Sequence, residues 1–544
     1  MLKKTTICLL LFAFLGSAFG TSFPEDEYQK ISIIFTNDMH GGIPRTEATF
    51  MNPQFPPKIG AAPALAWYVN RMRERAEKEN AGVLLIDQGD FYAGTPVGVK
   101  TEGAAVVEYM NYVKYDITTV GNHDFDLGLD VQKARAAQAN FPFLGANVVM
   151  EATGEVAPWL KPYIIKEFNG IKVGILGIAL ASTPGMSFPD HVRGLRFEPE
   201  IATAKKWVPI MKDAGADVIV VSTHTWTPYE REKEADILNR KIRSGEWPDV
   251  NKIAATGMEI AVSVPGIDLM FTGHVHRGFN LPYEDPVNHT LIFQNYANGA
   301  NVGQVNIYVH RATGTMAGYD LEVDKSSIIT LLEDEFWIDP VLDSIISARV
   351  AVAEEGFDEV ITVLPAPLRR SNEGQSMPGN LLCDAMVWAS DADVAFTNYG
   401  GLRSDLEAGP LTYEDLFRFE PFGNRITVFN ISGHELHALI EDRVSGNSRG
   451  MIVAGLEVTI DRRKPNRERA TIHTIQGKPF DPDAMYKLAV SDYLGEGNSG
   501  YDRLTTISPE HIINTGIEMR EALRDFLLAF GVKSTIDSRW RIIK

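Results

Sequence analysis

Thr119-Val-Gly-Asn-His-Asp-Phe-Asp-Leu-Gly128 places an amide, an imidazole and two carboxylates on one glycine-led turn, directly after an apolar run that predicts a β-strand. Asn122 and His123 lie side by side in this turn. That pair suits a metal site with a catalytic imidazole next to it. Taken alone, the segment also fits an ordinary polar loop between a strand and a helix.

Four other predicted strands end in the same kind of residue. After their apolar runs come Asn37-Asp38-Met39-His40, Gln88-Gly89-Asp90, His224, and His274-Val275-His276. Because α/β sheets collect their ligands at the carboxyl ends of the strands, these side chains are expected to converge on one cavity. Imidazole, carboxylate and amide ligands fit two cations, which at about 3.5–4 Å apart can share a hydroxide and clamp a phosphoryl group.

The strands that carry these residues belong to an alternating pattern. Short apolar runs predict strands at ISIIF, VLLID, ITTV, FLGA, IKVGILGI, VIVVS, DLMFTG, TLIFQ and VNIYV. Amphipathic segments at 64–78 and 103–113 predict helices between them. Buried strands between helices indicate an α/β core that is covered on its faces.

The order of the segments predicts the domain organisation. Residues 1–20 are expected to be a signal peptide, and 28–325 form the α/β domain that carries the strand-end motifs. An acidic segment without strand signals, 326–356, is expected to be a helical linker, and 357–544 form a second α/β domain. Its signals include the strands EVITVL, DVAFTN, NRITVFNI and YKLAVSD. Residues 45–58, rich in proline and phenylalanine, predict a surface loop.

Composition narrows the classes of function. The chain has 544 residues, 44% of them hydrophobic, and a net charge of −19, as in a soluble globular protein. This charge argues against binding of a nucleic acid polymer, which needs a basic surface to replace phosphate counterions. The net negative charge does not exclude a small nucleotide substrate, because metal ions and arginines at the site can outweigh the charge of the whole protein there. The oligomeric state is not predicted.

The N-terminus predicts export. Lys3 and Lys4 precede a short apolar core, and Ala18-Phe19-Gly20 offers the small residues that a signal peptidase reads. The mature protein is therefore expected to be periplasmic or secreted, without a membrane anchor. Cleavage leaves Cys383 as the single cysteine, which excludes an internal disulfide. Its apolar helical context predicts a small buried hydrophobe rather than a nucleophile.

The ordered motifs D-x-H, GD, GNH-[ED], H and GH-x-H resemble those of binuclear calcineurin-like metallophosphoesterases. The resemblance implies a four-layer α/β/β/α sandwich and two divalent metal ions, with Zn, Mn, Fe and Co all suited to such ligands. It implies the metal ligands Asp38, His40, Asp90, Asn122, His224, His274 and His276, with Asp90 bridging. His123 would point at the substrate phosphate and Asp126 would orient it. Asp124 stands where many relatives have Glu, and the polar insertion 229–247 is expected to form a lid or rim.

The whole mature chain resembles the 5'-nucleotidase/UDP-sugar hydrolase family, whose C-terminal domain binds the nucleoside. Three patches carry this resemblance: Thr397 to Arg403, Glu420 to Gly423, and Ser491 to Tyr501. The substrate-binding residues implied are Asn398, Gly400, Gly401, Arg403, Phe422, Tyr493, Ser499 and either Arg369 or Arg370. Phe422 and Tyr493 would sandwich the base. Ser499 stands where the family has an aspartate that meets the ribose; a serine still hydrogen-bonds, but without the charge-assisted contact.

The resemblance implies an exported dimetal phosphohydrolase that releases phosphate from nucleoside 5'-monophosphates by metal-hydroxide attack. Hydrolysis of UDP-sugars or dinucleotides at the pyrophosphate and of 2',3'-cyclic nucleotides are the alternatives within nucleotide chemistry. A thiosulfohydrolase-like enzyme fits the first domain alone, but the paired aromatics argue against it. A non-catalytic nucleotide-binding protein would have lost a metal ligand or the His123–Asp126 pair, and neither is missing.

Overall fold

The computed structural model of the protein describes residues 23–48, 51–52, 54–445, 450–532 and 536–544. The predicted signal peptide, 1–20, lies outside these described residues. Within the described part of the chain, no helix is both long and apolar enough to cross a membrane.

The first domain contains every strand and helix predicted from its sequence. Its strands are β1 (Tyr28–Thr36), β2 (Thr46–Glu47), β3 (Lys58–Ile59), β4 (Gly82–Asp87), β5 (Ile117–Thr119), β6 (Phe143–Leu144), β7 (Val148–Met150), β8 (Tyr163–Phe168), β9 (Ile171–Ile178), β10 (Leu195–Phe197), β11 (Val218–Thr223), β12 (Leu269–Thr272), β13 (Tyr283–Glu284), β14 (Leu291–Gln294), β15 (Asn301–His310), β16 (Met316–Asp320) and β17 (Ile328–Thr330). Its helices are α1 (Ala61–Lys78), α2 (Pro96–Lys100), α3 (Ala104–Val113), α4 (Leu129–Gln138), α5 (Glu200–Asp213), α6 (Arg231–Arg243) and α7 (Gly257–Ser263). Short 3₁₀ turns cover His123–Phe125, Thr183–Gly185 and Pro189–His191.

Two sheets organise this domain. The first has the strand order β16-β15-β1-β4-β5-β6, with β17 paired to β15, and β1, β4, β5 and β6 run parallel. The second has the order β13-β14-β12-β11-β9-β8, and its four central strands run parallel. Parallel neighbours with connecting helices bring their carboxyl ends to the same edge of each sheet.

The two sheets pack face to face, which confirms the four-layer α/β/β/α sandwich. Phe35 on β1 is fully buried, and its ring centroid lies 4.7 Å from that of Phe271 on β12, in the other sheet. Ile34, the neighbour of Phe35, points the other way and packs with Leu65 of α1. Removing the Phe35 ring (Phe35→Ala) is expected to cost about 3–5 kcal/mol of stability, because it empties this inter-sheet contact.

The segment predicted as a helical linker is only partly helical. Helix α8 (Pro340–Ala353) is present, with Asp339 accepting hydrogen bonds from the backbone N–H groups of Val341 and Leu342 as its N-cap. The prediction is wrong at the start of the segment, because β17 pairs there with β15 of the first sheet. The β-branched residues Ile328 and Ile329 are buried in that pairing, which favours a strand over a helix.

The remainder of the chain folds around its own sheets. Its strands are β18 (Val360–Leu364), β19 (Val394–Thr397), β20 (Gly409–Thr412), β21 (Arg425–Ser432), β22 (Ile452–Ala454), β23 (Leu456–Asp461), β24 (Ala470–Ile475), β25 (Lys478–Pro479), β26 (Met485–Ser491), β27 (Ile512–Glu518) and β28 (Trp540–Ile543). Its helices are α9 (Met377–Ser390), α10 (Tyr413–Phe419), α11 (Gly433–Val444), α12 (Asp492–Gly495) and α13 (Met519–Phe530). Further 3₁₀ turns cover Tyr399–Gly401, Asn498–Gly500, Asp502–Thr506 and Pro509–His511.

The central sheet of this second unit has the order β22-β19-β26-β21-β27 and is covered by α9 and α13 on one face. Helix α11 and the four-strand sheet β25-β24-β23-β28 cover the other face. Cys383 of α9 is fully buried, as the sequence predicts. The parallel neighbours β19 and β26 end at the same edge, where the Asn398 and Tyr493 segments begin.

Candidate active site

Residues from two strand ends of the first domain form one side-chain cluster. Asp38 and His40 follow β1, and His276 follows β12. One carboxylate oxygen of Asp38 and one ring nitrogen of each histidine lie within 4.8 Å of one another. The His40 and His276 Nε2 atoms are 2.9 Å apart, and His276 Nε2 lies 3.6 Å from Asp38 Oδ1. This is a compact set of one carboxylate and two imidazoles.

A second cluster lies next to the first. It consists of Asp90 after β4, His224 after β11 and His274 after β12. His224 Nε2 lies 3.0 Å from Asp90 Oδ2 and 4.0 Å from Asp38 Oδ1. Asp90 Oδ2 is also 3.9 Å from His40 Nε2, which places this oxygen between the two clusters.

Asn122 lies at the edge of the second cluster. Its Oδ1 is 3.0 Å from His274 Nδ1. The structure therefore brings together every residue predicted to hold metal.

The donor atoms fit two cations. Asp90 Oδ2 and His224 Nε2 are buried, lie 3.0 Å from each other and have no hydrogen bond to any other group. Buried polar atoms of this kind are costly unless something coordinates them. His40 Nδ1 lies 2.5 Å from the carbonyl oxygen of Ala93, and His224 Nδ1 lies 2.7 Å from that of Gln88. These contacts fix the proton on Nδ1 and leave Nε2 as the ligand atom.

The protonation states of three of the histidines agree with this fit. Burial lowers the pKa of His274 and of His276 to about 3, and it also lowers the pKa of His40 well below its ordinary value. Neighbouring cationic groups act in the same direction. Neutral imidazole is the form that binds a metal ion. His224 differs: burial lowers its pKa, but the Asp90 and Asp38 carboxylates outweigh burial and raise the pKa to about 10.

The backbone at these positions is strained. A left-handed conformation, with φ between 49° and 71°, occurs at Asp38, His40, Asp90, His274 and His276. Such a conformation is uncommon for residues other than glycine and persists only where the surroundings enforce it. The clustering of this strain at the predicted ligands indicates a functional site.

Asp124 holds two of the ligand loops together, a role that the sequence does not reveal. Its carboxylate accepts hydrogen bonds from the backbone N–H groups of Asp90, Phe91 and Gly121, at 3.1, 3.0 and 2.7 Å. The two loops approach so closely that a side chain at Gly121 would collide with Asp90 Oδ1. The GNHD motif marked this aspartate, but only the structure shows which N–H groups it binds.

His123 stands beside the metal clusters rather than in them. Its Nδ1 lies 2.7 Å from Asp126 Oδ2, and its backbone N–H donates to Asp90 Oδ1 at 2.8 Å. Burial disfavours the charged ring, but the Asp126 and Asp90 carboxylates outweigh burial and raise the pKa of His123. With Nδ1 engaged by Asp126, Nε2 is the ring nitrogen available to a substrate.

A cavity of about 350 Å³ joins this centre to the second domain. Its first-domain wall includes Asn122, His123, Asp126 and His274. Its second-domain wall includes the predicted substrate residues Asn398, Gly400, Gly401, Arg403, Phe422, Tyr493 and Ser499. The volume falls within the range of small-molecule sites.

Aromatic and cationic groups shape the second-domain wall. The Phe422 ring stacks on the His123 ring, with centroids 5.7 Å apart and planes 21° apart. The Arg403 guanidinium carbon lies 5.7 Å from the Phe422 centroid. Burial lowers the pKa of Arg403, against the attraction of Asp90 and Asp126, yet an arginine stays charged in any protein. The positively charged Arg403 guanidinium of the second domain therefore lies near enough to Asp90 and Asp126 to be attracted by them.

The polar wall of the cavity is loosely connected. Asn398 Nδ2 lies 3.4 Å from Ser499 Oγ, which lies 3.4 Å from the Tyr493 hydroxyl. Ser499 itself has a left-handed backbone, with φ of 56°. These long contacts leave the hydroxyl and amide groups free to bond a substrate.

Arg369 and Arg370 are the predicted substrate residues that the structure places outside the cavity lining. Arg369 pairs with Asp405 and Glu407, and Arg370 donates to the carbonyl oxygen of Leu402 at 2.7 Å and to Asp405 at 3.2 Å. These local acceptors hold both guanidinium groups away from the lining. Arg370 acts electrostatically on Arg403, which does line the cavity, and a substrate role for Arg369 or Arg370 stays a prediction.

The insertion 229–247 is likewise not a lid in this structure. Helix α6 has no buried residue, and none of the residues 229–247 lines the cavity. Tyr229 and Arg231 instead make cation–π contacts with Arg277 and Phe279, at 4.6 and 4.2 Å. Helix α6 packs Ala235 and Leu238 against the apolar core beside the second sheet, and its charged residues lie on the outside.

Known proteins match the chain along nearly its whole length. Residues 31–278 match the model of calcineurin-like phosphoesterases, and 352–506 match that of the 5'-nucleotidase C-terminal domain. The 5'-nucleotidase of Vibrio cholerae is 26% identical over 97% of this chain and 96% of its own length. Endonuclease YhcR of Bacillus subtilis is 27% identical over 93% of this chain, which spans 40% of that relative. The crystal structure of a 5'-nucleotidase precursor from Thermus thermophilus superposes with a TM-score of 0.79 at 22% identity, over 95% of this chain and 99% of that one.

Proposed function

Since the chain belongs to the 5'-nucleotidase family of metal-dependent phosphoric ester hydrolases, we propose that it releases inorganic phosphate from nucleoside 5'-monophosphates. One observation carries this proposal. A single cavity is lined at one end by His123 and Asn122 of the metal centre, and at the other by Phe422 and Tyr493. A phosphate and a planar base can therefore occupy the same cavity at once.

The metal ligands are proposed to be Asp38, His40, Asp90, Asn122, His224, His274 and His276, with Asp90 between the two sites. When bound, the two cations supply Lewis-acid activation of water and neutralise charge on the phosphoryl group. Zn, Mn, Fe and Co all suit this donor set. The carboxylates of this chain hold the cations, and the Nδ1 hydrogen bonds of His40 and His224 keep the imidazoles in the ligand tautomer.

His123 and Arg403 act on the phosphate itself. Asp126 holds the His123 ring and favours its protonated form, so that Nε2 donates to a phosphate oxygen as negative charge develops there. The Arg403 guanidinium offers charge-assisted hydrogen bonds from the second domain. Asn398, Gly401 and Ser499, which line the cavity, are proposed to contact the sugar. Nucleoside and inorganic phosphate are then released.

The proposed organisation assigns the chemistry to the first domain, which begins at residue 28 and includes β17, and assigns substrate recognition to 357–544. Phe422 and Tyr493 give the base two aromatic surfaces, each worth about 1–3 kcal/mol of stacking. This base site favours a nucleotide over the sulfur esters that the metal centre alone would accept.

We also propose that the protein is exported to the periplasm or the medium. The support is the sequence of residues 1–20, whose cleavage site would follow Ala18-Phe19-Gly20. N-terminal sequencing of the mature protein tests the proposal. A mature chain that still begins at Met1 would contradict it.

A substrate panel tests the enzymatic proposal. The purified protein, with its metal content measured, is assayed with AMP, UDP-glucose, 2',3'-cyclic AMP and a sulfate ester. We expect the highest kcat/KM with AMP. Higher kcat/KM with UDP-glucose or the cyclic nucleotide would move the assignment to those alternatives. Absence of any nucleotide turnover with added Mn²⁺ or Zn²⁺ would overturn it.

A further inference from the structure

The base cavity has a third wall, which comes from the first domain. The loop between β9 and β10 contributes Met186, Ser187 and Phe188 to the lining. The Phe188 ring meets the Tyr493 ring edge-on, with centroids 6.0 Å apart and planes 86° apart. An aromatic side chain of the metal-binding domain thus touches one of the two rings proposed to hold the base.

This loop is held from several sides. Thr183 Oγ1 donates to the carbonyl oxygen of Leu180 at 2.6 Å, and the Ala181 N–H donates to the buried Glu200 at 2.8 Å. The two short 3₁₀ turns, Thr183–Gly185 and Pro189–His191, shape the segment around Phe188. These contacts order the loop without help from the second domain.

The same loop packs on the catalytic turn. The His191 ring lies 5.1 Å from the Phe188 ring, at 65°. On its other side, His191 lies beside Gly128, where a β-carbon would be in ordinary van der Waals contact with the imidazole, at 3.5 Å. Gly128 ends the turn that carries His123 and Asp126. Phe188 is therefore linked through His191 to the catalytic turn and through its own ring to Tyr493.

We propose that Phe188 is a specificity-determining residue that closes the base site, so that the base is enclosed by Phe422, Tyr493 and Phe188. This inference rests on the proposed nucleotidase function. An aromatic edge offers dispersion and quadrupole contacts to any nucleobase, and it offers nothing to a phosphate ester without a base. The site is then complete only when the two domains stand as they do here.

A second interpretation assigns Phe188 only to holding the domains together. The two interpretations differ in what a truncation does to substrates without a base. If Phe188 contacts the base, its removal weakens nucleotide binding and leaves the phosphate chemistry unchanged. If it only joins the domains, its removal disturbs Arg403 at the metal centre, and every phosphate ester loses activity equally.

The test compares Phe188→Ala with the wild-type enzyme, both loaded with metal, on AMP and on ribose 5-phosphate, which has no base. We expect kcat/KM for AMP to fall about 3- to 10-fold, through KM, as loss of one aromatic contact implies. The values for ribose 5-phosphate should stay unchanged. Inhibition by adenosine, a readout independent of AMP turnover, should weaken by the same factor.

Two variants control for folding. Phe188→Tyr keeps the ring and should restore the wild-type KM for AMP. Tyr319→Ala removes a partly exposed ring from the edge strand β16. It should leave kcat/KM unchanged for both AMP and ribose 5-phosphate. An equal loss on AMP and ribose 5-phosphate, or no loss on AMP, would overturn the role of Phe188. A wild-type enzyme without preference for AMP over ribose 5-phosphate would instead overturn the proposed base site as a whole.

Discussion

The proposed metal centre and the proposed base site are built in opposite ways. All the proposed metal ligands come from the first domain. Each one follows a strand whose backbone is fixed by the sheet. The base site is assembled from loops of two domains, and its polar members touch one another only at 3.4 Å. The chemistry is thus set on a rigid edge, while recognition is set at a junction between domains.

This difference predicts which substrates lose activity when each region is mutated. A change at the metal centre should affect every phosphate ester, because all of them share the phosphoryl group. A change at the base site should affect only substrates with a base, and mainly their KM. Variants of either region test this distinction between the two classes of substrate. Variants of the metal centre should reduce activity more than variants of the base site.

Asp90→Asn should have the largest effect. It removes the carboxylate oxygen that lies between the two clusters, 3.0 Å from His224 Nε2 and 3.9 Å from His40 Nε2. We expect kcat to fall by more than about 10⁴-fold with every ester, since the cations supply both the nucleophile and charge stabilisation. Metal content per chain, measured by elemental analysis, should fall as well. Asp130→Asn, at a fully exposed carboxylate, is the matched control; retention of both metals with near wild-type turnover would refute the assignment.

His123→Ala should reduce kcat by about 10²–10⁴-fold while the metal content stays constant. The ring contributes a proton donor to the phosphate and no ligand atom to either cluster. Asp126→Asn should give a smaller loss, because the ring remains but is less firmly held. Equal losses with AMP and ribose 5-phosphate are expected. Survival of full activity in His123→Ala would remove the residue from the mechanism.

Phe422→Ala should lower activity mainly with substrates that carry a base. Loss of one stacking surface is worth about 1–3 kcal/mol, which corresponds to roughly 5- to 150-fold in kcat/KM for AMP. Ribose 5-phosphate should lose less than about 3-fold, because it has no base to stack. The Phe422 ring also stacks on His123, so an equal loss with both substrates would show that it acts through the catalytic imidazole. Tyr493→Ala, which lacks that contact, separates the two outcomes.

The clustering of the predicted metal ligands could be read from the sequence better than the arrangement of the proposed base site, for the same structural reason. Asp38, His40 and Asp90 each follow a strongly apolar strand, so the pattern of strands is enough to bring them together. The nine predicted strands of the first domain are all present. In the segment expected to be a linker, the short strand β17 was missed, because two buried isoleucines next to an acidic helix give little periodicity.

At the base site, local patterns say less. Arg369 and Arg370 could not be placed from sequence, because their partners Asp405 and Glu407 lie some 35 to 38 residues away. Phe188 lies in a loop with no motif, and its contact with Tyr493 spans two domains. The role of Asp124 in binding three backbone N–H groups likewise depends on the approach of two loops. Such contacts arise only from the folded arrangement.

The smallest predicted effect is that of replacing Glu420, a buried residue that supports the segment carrying Phe422. Glu420, two residues earlier, is fully buried; Arg520 donates to its carbonyl oxygen at 2.7 Å, and Asn424 donates to its carboxylate at 3.1 Å. Burial raises the pKa of Glu420 from 4.5 to about 7, against the attraction of Arg520. The folded protein therefore holds this proton more tightly than the unfolded chain.

Glu420→Gln keeps the shape and removes the titration. Because the folded pKa is raised, the stability that the proton contributes is complete below about pH 4.5 and is lost as the pH rises through about 7. The free energy of unfolding of the wild type, relative to Glu420→Gln, should therefore fall by a few kcal/mol between pH 5 and pH 8. Thermal unfolding across this range measures the difference, and Glu414→Gln on α10 controls for the loss of one negative charge. A difference that stays constant from pH 5 to pH 8 would show that Glu420 does not titrate there and would refute the raised pKa.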